Sequence, residues 1–413
     1  MKKNILIVDD SALMRRVESD IINSDERFQA TESAVDGLEA FDLVTRNPSK
    51  YDAIILDINM PRMTGLEFLE AINRVRVKAK IIIVSTLATE GADETIRALE
   101  LGAFDYVTKP GSFLDAMGSS FRKHLLLALA YATNVVEDHD AEMVNINKEA
   151  TIKPQGPSTV TRPSTPSPLV KPSKEREKEP LAPIATLHKA TESHASPMNP
   201  RAILAEGIVK RRPHKTVSGN AKRLIVIASS TGGPKALQSV IPKLPKNINA
   251  PILLVQHMSG GFTLSLAKRL NDLSQVDVVE VQGGERLKKG VVYLAKGGAQ
   301  MRLRKKGQDY ELELNTEEPA RAGLKPCADI LFESISELDF DDITCIVLTG
   351  MGGDGTLGIK RLNEKFNIYV IAQDEQTSTV YGMPKVLYEV GLTDVVKPLD
   401  QIAEEITKNA GVQ

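Results

Sequence analysis

Leu224-Ile225-Val226-Ile227-Ala228-Ser229-Ser230-Thr231-Gly232-Gly233-Pro234 reads as a buried strand, a hydroxyl-rich corner, two glycines and the start of a helix. Four branched apolar residues in a row suit a strand covered on both faces. Gly232 and Gly233 let the chain turn tightly, and Pro234 fits the first turn of a helix. Such a corner lifts a serine hydroxyl above the carboxyl end of a sheet, beside the free N–H groups of a helix start. That place suits a nucleophile or a bound anion.

Around this corner lie 413 residues, enough for two or three domains. Charged residues make up 26% and the net charge is −2, so no global bias points to nucleic acid or an anionic membrane. The two cysteines, Cys327 and Cys345, lack metal-type spacing and suit a reducing cytoplasm. The amino terminus has a short apolar run ending in Asp9 and Asp10, which is no secretion signal. No run of about 20 apolar residues follows, so direct membrane insertion is not expected. The expected state is a cytoplasmic monomer.

The segment 1–130 alternates strand and helix patterns. Apolar runs at 5–8, 53–56 and 81–84 interleave with helical spacing at 12–22, 37–44, 66–75, 94–101 and 113–129. Alternation of this kind means a parallel sheet with helices on both faces, with ligands at the carboxyl ends of the strands. Those ends carry Asp9 and Asp10, Asp57, Ser85 and Thr86, and Lys109-Pro110. Three converging carboxylates repel one another unless a cation sits between them, and hard oxygen ligands favour Mg²⁺. A carboxylate beside such a metal can attack a phosphoryl group. Lys109 would neutralise the phosphate, and the Ser85 or Thr86 hydroxyl would bond it.

This half resembles a response-regulator receiver domain, with a flavodoxin-like doubly wound sheet, over its whole length. The resemblance implies Asp57 as phosphoacceptor from a histidine kinase, a chemotaxis kinase if the second half bears out the likeness given below. It also implies Asp10, Asp57 and the Asn59 carbonyl as Mg²⁺ ligands, with Asp9 acting through water.

Residues 131–222 change character. Eleven of the 22 prolines lie here, and no aromatic residue occurs between Tyr131 and Phe262. Such a stretch buries too little apolar surface to offset its ordering entropy, and it reads as a flexible tether. His139, His188, His194 and His214 are scattered along it and read as solvated.

Residues 223–413 alternate again. Strand patterns fall at 224–228, 252–255, 276–281, 291–295, 343–348 and 368–371, with a hairpin of 302–304 against 310–314. A mainly parallel doubly wound α/β sheet with an antiparallel addition is expected. Ser230 needs a base, and the one histidine of this half, His257, ends the next strand. The base needs an orienting carboxylate. In Thr349-Gly350-Met351-Gly352-Gly353-Asp354-Gly355 three glycines let the backbone bring Asp354 close. Ser230, His257 and Asp354 thus make a triad by role, although the Gly-x-Ser-x-Gly elbow is absent.

These motifs are similar to those of the chemotaxis-specific protein-glutamate methylesterases, which join a receiver to an esterase. The likeness rests on Ser230–Pro234, Gln256-His257-Met258, the Thr349 to Gly355 run and the segment 373–384. It implies hydrolysis of glutamyl methyl esters on methyl-accepting chemotaxis receptors, and deamidation of receptor glutamines. Ser230 would be nucleophile, His257 base and Asp354 its partner, with Thr231 and the N–H groups near Met351 as oxyanion donors. The esterase itself would need no cofactor. An unphosphorylated receiver would cover the cleft. Four positions depart from the family pattern: Ala228-Ser229 stands for Gly-Ala, Ser259 for proline and Gln300 for a frequent histidine. A nucleotide-binding module lacks its Gly-x-Gly-x-x-Gly string. A DNA-binding regulator is disfavoured because residues 223–413 carry 22 basic against 24 acidic residues.

Overall fold

Short β-branched runs make the centre of each sheet, because only strands covered on both faces can bury every side chain. In the computed structural model, residues 1–85, 89–109, 119–137, 140, 204, 207–217 and 221–411 are described, all within one compact unit. Pro110 and the start of the expected helix at 113 lie outside them, as does Thr86.

The receiver sheet pairs β1 (Lys3–Val8), β2 (Phe28–Ala34), β3 (Ala53–Asp57), β4 (Ile81–Ser85) and β5 (Asp105–Thr108) in parallel, in the order β2-β1-β3-β4-β5. Helices α1 (Ala12–Asn23), α2 (Gly37–Arg46), α3 (Gly65–Arg74), α4 (Thr89–Glu100) and α5 (Ser119–Thr133) belong to the same half. Local caps set their starts. The Ser11 hydroxyl accepts from the Met14 N–H, and Thr64 and Glu67 form a reciprocal capping box. The strand order reverses between β1 and β3, which places Asp9, Asp10 and Asp57 at one switch point.

The second sheet runs β14-β13-β12-β6-β7-β9-β8, again with parallel pairing throughout. Its strands are β6 (Arg223–Ser229), β7 (Ile252–Gln256), β8 (Asp277–Glu280), β9 (Val291–Leu294), β12 (Asp342–Val347), β13 (Ile368–Gln373) and β14 (Val395–Lys397). The expected hairpin is β10 (Gln300–Lys306) with β11 (Asp309–Asn315). Every residue of β6 is buried, and each large aliphatic side chain there contributes about 2 kcal/mol. Helices α6 (Gly233–Val240), α7 (Phe262–Leu273), α8 (Ala328–Ile335), α9 (Thr356–Lys365), α10 (Met383–Glu389) and α11 (Leu399–Asn409) complete this half. Among the described residues no helix is long and apolar enough to cross a membrane.

The described parts of the 131–222 segment correct the expectation of a tether along that whole length. The Val209 N–H donates to the Val390 carbonyl at 2.8 Å, Arg211 pairs with Asp394, and the Asn367 side chain accepts from the Lys215 N–H and donates to the Lys215 carbonyl. His214, expected to be solvated, has its Nε2 2.9 Å from Asp342 Oδ1 and its side chain only 10% exposed. Contacts at Asp342, Asn367, Asp394 and Val390, beside the starts of β12, β13 and β14 and the end of the helix 383–389, hold residues 209–215. At the other end, Arg27 bridges Asp25 and Asp140. His139, His188 and His194 lie outside the described residues.

Candidate active site and receiver pocket

Ser230, His257 and Asp354 come from three neighbouring strand ends. Strand β6 lies between β12 and β7, and this is where the sheet order reverses. The Ser230 N–H donates to the Thr349 carbonyl and the His257 N–H to the Ser229 carbonyl, each at 3.0 Å. Pairing therefore continues beyond the strands and fixes the heights of the three loops. Gly232 takes φ +76 at the cap of α6, a left-handed value that a side chain resists. Gly233 is needed for another reason: a Cβ there would lie 1.9 Å from Gln256 Oε1.

His257 Nε2 lies 2.7 Å from Asp354 Oδ2. That leaves Nδ1 as the ring nitrogen able to act as a base. Ser230 and His257 line one cavity of about 320 Å³ together with Thr231, Met351 and the receiver's Lys123 and His124. No hydrogen bond joins the Ser230 hydroxyl to His257 among the described residues. Catalytic hydrogen bonds of this kind often tighten only around substrate.

Asp354 sits in a cage. Its Oδ2 also accepts from the Ala328 N–H at 2.6 Å. Its Oδ1 accepts from the Asp329 and Gly355 N–H groups, both at 2.9 Å, and from the Cys327 thiol at 3.3 Å. The start of α8 thus points its free N–H groups at the carboxylate. Burial pushes the Asp354 carboxyl up, but His257 and these donors outweigh it and hold it below the usual range. Its neighbour Asp329 is fully buried. Burial first, and the charge of Asp354 second, hold that carboxyl well above the usual range. The two carboxyls are thus pushed apart, with the negative charge favoured on the residue facing His257.

Two of the positions that depart from the family pattern have structural partners here, and one of them, Gln300, supports this cage. Gln300, buried at the start of β10, accepts from the Cys327 N–H at 2.9 Å and donates to the Leu324 carbonyl at 3.0 Å. It is a buried brace and not a rim residue. Ser259 stands against the Tyr106 phenol of the receiver.

The receiver meets this half at its β5 and α4. Thr231 Oγ1 donates to Asp105 Oδ2 at 2.8 Å. The Tyr106 and Phe262 rings lie 4.7 Å apart, and Arg269 pairs with Glu100. Ala92 and Ile96 share an apolar cluster with Leu237, Phe262 and Leu266.

In the receiver pocket, one carboxylate oxygen from each of Asp9, Asp10 and Asp57 falls within 4.8 Å of the others. Lys109 Nζ is 2.7 Å from both Asp9 and Asp57. Burial raises the Asp57 carboxyl above its ordinary value, against the pull of Lys109. Three acids against one ammonium fit a divalent cation held by oxygens. Ser85 Oγ donates to the Gly91 carbonyl at 3.2 Å. Sequence reading missed Glu18, which α1 buries completely in this half with neither carboxylate oxygen hydrogen-bonded among the described residues; burial, and then Asp9, raise it well above the usual range.

Comparison with known proteins agrees with this layout. The family model of the response regulator receiver domain matches residues 5–116, and that of the CheB methylesterase matches residues 225–406. The class is thus a receiver joined to a methylesterase domain. A protein-glutamate methylesterase/protein-glutamine glutaminase of Halalkalibacterium halodurans is 36% identical over 98% of this chain and 97% of its own. One of Bacillus subtilis is 33% identical over 98% and 97%. The crystal structure of the Thermotoga maritima CheB methylesterase catalytic domain is 38% identical, with a TM-score of 0.44 over 46% of this chain and 99% of that one. The chain belongs to the protein-glutamate methylesterase/protein-glutamine glutaminase family, and is an ester hydrolase by that membership.

Proposed function

We propose that the chain is a phosphorylation-activated esterase that removes methyl groups from glutamyl esters of chemoreceptors and deamidates receptor glutamines. The His257–Asp354 hydrogen bond beside Ser230, at adjacent strand ends in one cavity, carries this reading. Ser230 Oγ attacks the ester carbonyl while His257 Nδ1 takes its proton. The C–O bond to the methoxy group then breaks and His257 returns the proton, releasing methanol. Water repeats the sequence, leaving a glutamate carboxylate and a free serine. With a glutamine the leaving group is ammonia. Asp354 holds the ring and stabilises its charged form. Thr231 and the backbone near Met351 supply oxyanion donors.

Control comes from the receiver. Asp57 accepts a phosphoryl group from a histidine kinase, and Lys109 and Ser85 hold it. Asp9, Asp10, Asp57 and the Asn59 carbonyl would hold Mg²⁺. When bound, that ion neutralises charge on the phosphoryl oxygens. Before phosphorylation Asp105 occupies the Thr231 hydroxyl and the receiver limits access to the cavity. The test is methanol release from methylated receptor membranes, with and without a small phosphodonor and Mg²⁺. Release that rises with the phosphodonor is expected; absence of release under both conditions refutes the reading.

The Asp105 contact has a pH signature. Burial raises this carboxyl to about 6. An exposed aspartate titrates near about 3.9, so the closed arrangement binds the proton more tightly. Closure is strongest below about pH 4 and is lost as pH rises through about 6. Unphosphorylated activity, relative to that of the phosphorylated enzyme at the same pH, should rise severalfold between about pH 5 and 7. Asp105→Asn should flatten that rise; an unaltered slope in this variant would contradict the assignment.

A further inference from the structure

Ser229 departs from the family pattern and has no part in the reaction as written, yet it is wholly buried beside Ser230. Its hydroxyl donates to Gln256 Oε1 at 2.7 Å. Gln256 is itself 1% exposed, and its Nε2 donates to the carbonyls of Ser230, at 2.9 Å, and His257, at 3.1 Å. One amide therefore grips the backbone of both the nucleophile and the base. Its orientation is forced, because two carbonyls demand the nitrogen and the hydroxyl supplies the oxygen's partner. Gly233 closes the space on the other side, where a Cβ would strike Oε1. The Ser230 carbonyl also accepts from the Gly233 N–H at 2.7 Å, which ties the grip to the first turn of α6.

We propose that Ser229 and Gln256 form a positioning clamp: the Gln256 amide sets the spacing between Ser230 and His257, and the Ser229 hydroxyl locks that amide. Neither touches substrate. The inference rests on the Ser230–His257–Asp354 reading. A clamp of this kind acts on the reacting distance, so its loss lowers kcat and leaves substrate binding unchanged.

The test uses the full chain with phosphodonor and Mg²⁺, and measures methanol release from methylated receptor membranes and the rate of Ser230 labelling by a fluorophosphonate. Gln256→Leu should lower kcat about 100-fold with KM unchanged, and labelling should slow in parallel. Ser229→Ala, which removes one oxygen and little packing, should lower kcat about fivefold. Thermal melting checks that each variant is folded; if Gln256→Leu does not fold, Ser229→Ala decides. Unchanged kcat and labelling rate in folded Ser229→Ala, or a raised KM with kcat intact, overturns the clamp. Ser230→Ala and His257→Ala are run beside them. Activity retained in those two removes the triad reading itself; their inactivity with wild-type clamp variants removes only the clamp.

Discussion

Ser230→Ala should lower methanol release by more than about 10⁴-fold while leaving phosphorylation of Asp57 untouched. The size follows from the role. Without the hydroxyl no acyl-enzyme forms, and what survives is the smaller contribution of oxyanion donors and binding. The contrast with Ser229 makes the expectation specific. The two serines are adjacent, but Ser230 lines the cavity while Ser229 is buried against Gln256. Alternation along an extended backbone places them on opposite sides. A large loss at 229 and none at 230 would reverse the assignment. Receiver chemistry serves as the internal control, because Asp57 has its own sheet and its own ion pair with Lys109.

Asp57→Asn should abolish the response to a phosphodonor and Mg²⁺ and leave the low unphosphorylated activity in place. Asparagine keeps the shape of the side chain but cannot form an acyl phosphate. It also removes one of the two carboxylates that hold Lys109. A phosphodonor shifts a closed–open equilibrium only by its differential effect on the two states, and about 10- to 100-fold is the ordinary range of such coupling. The loss in Asp57→Asn should therefore match the whole activation measured in the parent. Activation that persists would mean that another group accepts the phosphoryl, or that the receiver does not govern access. Radiolabel from a phosphodonor distinguishes the two.

The centre of each sheet was legible because burial on both faces forces unbroken apolar runs, as in β4 and β6. Edges were harder. Strand β2 is buried only at its two ends and alternates exposed and half-buried residues between them, and β14 is three half-buried residues long. The placement of Ser230, His257 and Asp354 at neighbouring strand ends could be read from strand ends and glycine spacing. Their supports could not. Gln256, Gln300 and Asp329 are polar residues of a kind usually found at the surface, yet here each is almost wholly buried. Their partners lie in other loops, so no local pattern announces them. The same holds for Thr231 and Asp105, which are 126 positions apart. His214 was misread because composition averages over a segment, whereas one strand-start carboxylate decides its place.

The bond between Asp105 and Thr231 brings a carboxyl group of the receiver to the candidate reaction centre. A carboxylate is also what ester hydrolysis leaves on a glutamyl side chain. In the closed chain Asp105 thus resembles a tethered product. One hydroxyl proton cannot serve two acceptors, so with Thr231 in its proposed role as an oxyanion donor a freshly demethylated glutamate would compete with Asp105 for it. Under the proposed control, product release and receiver return would then be linked events, and the pace of one would set a bound on the other.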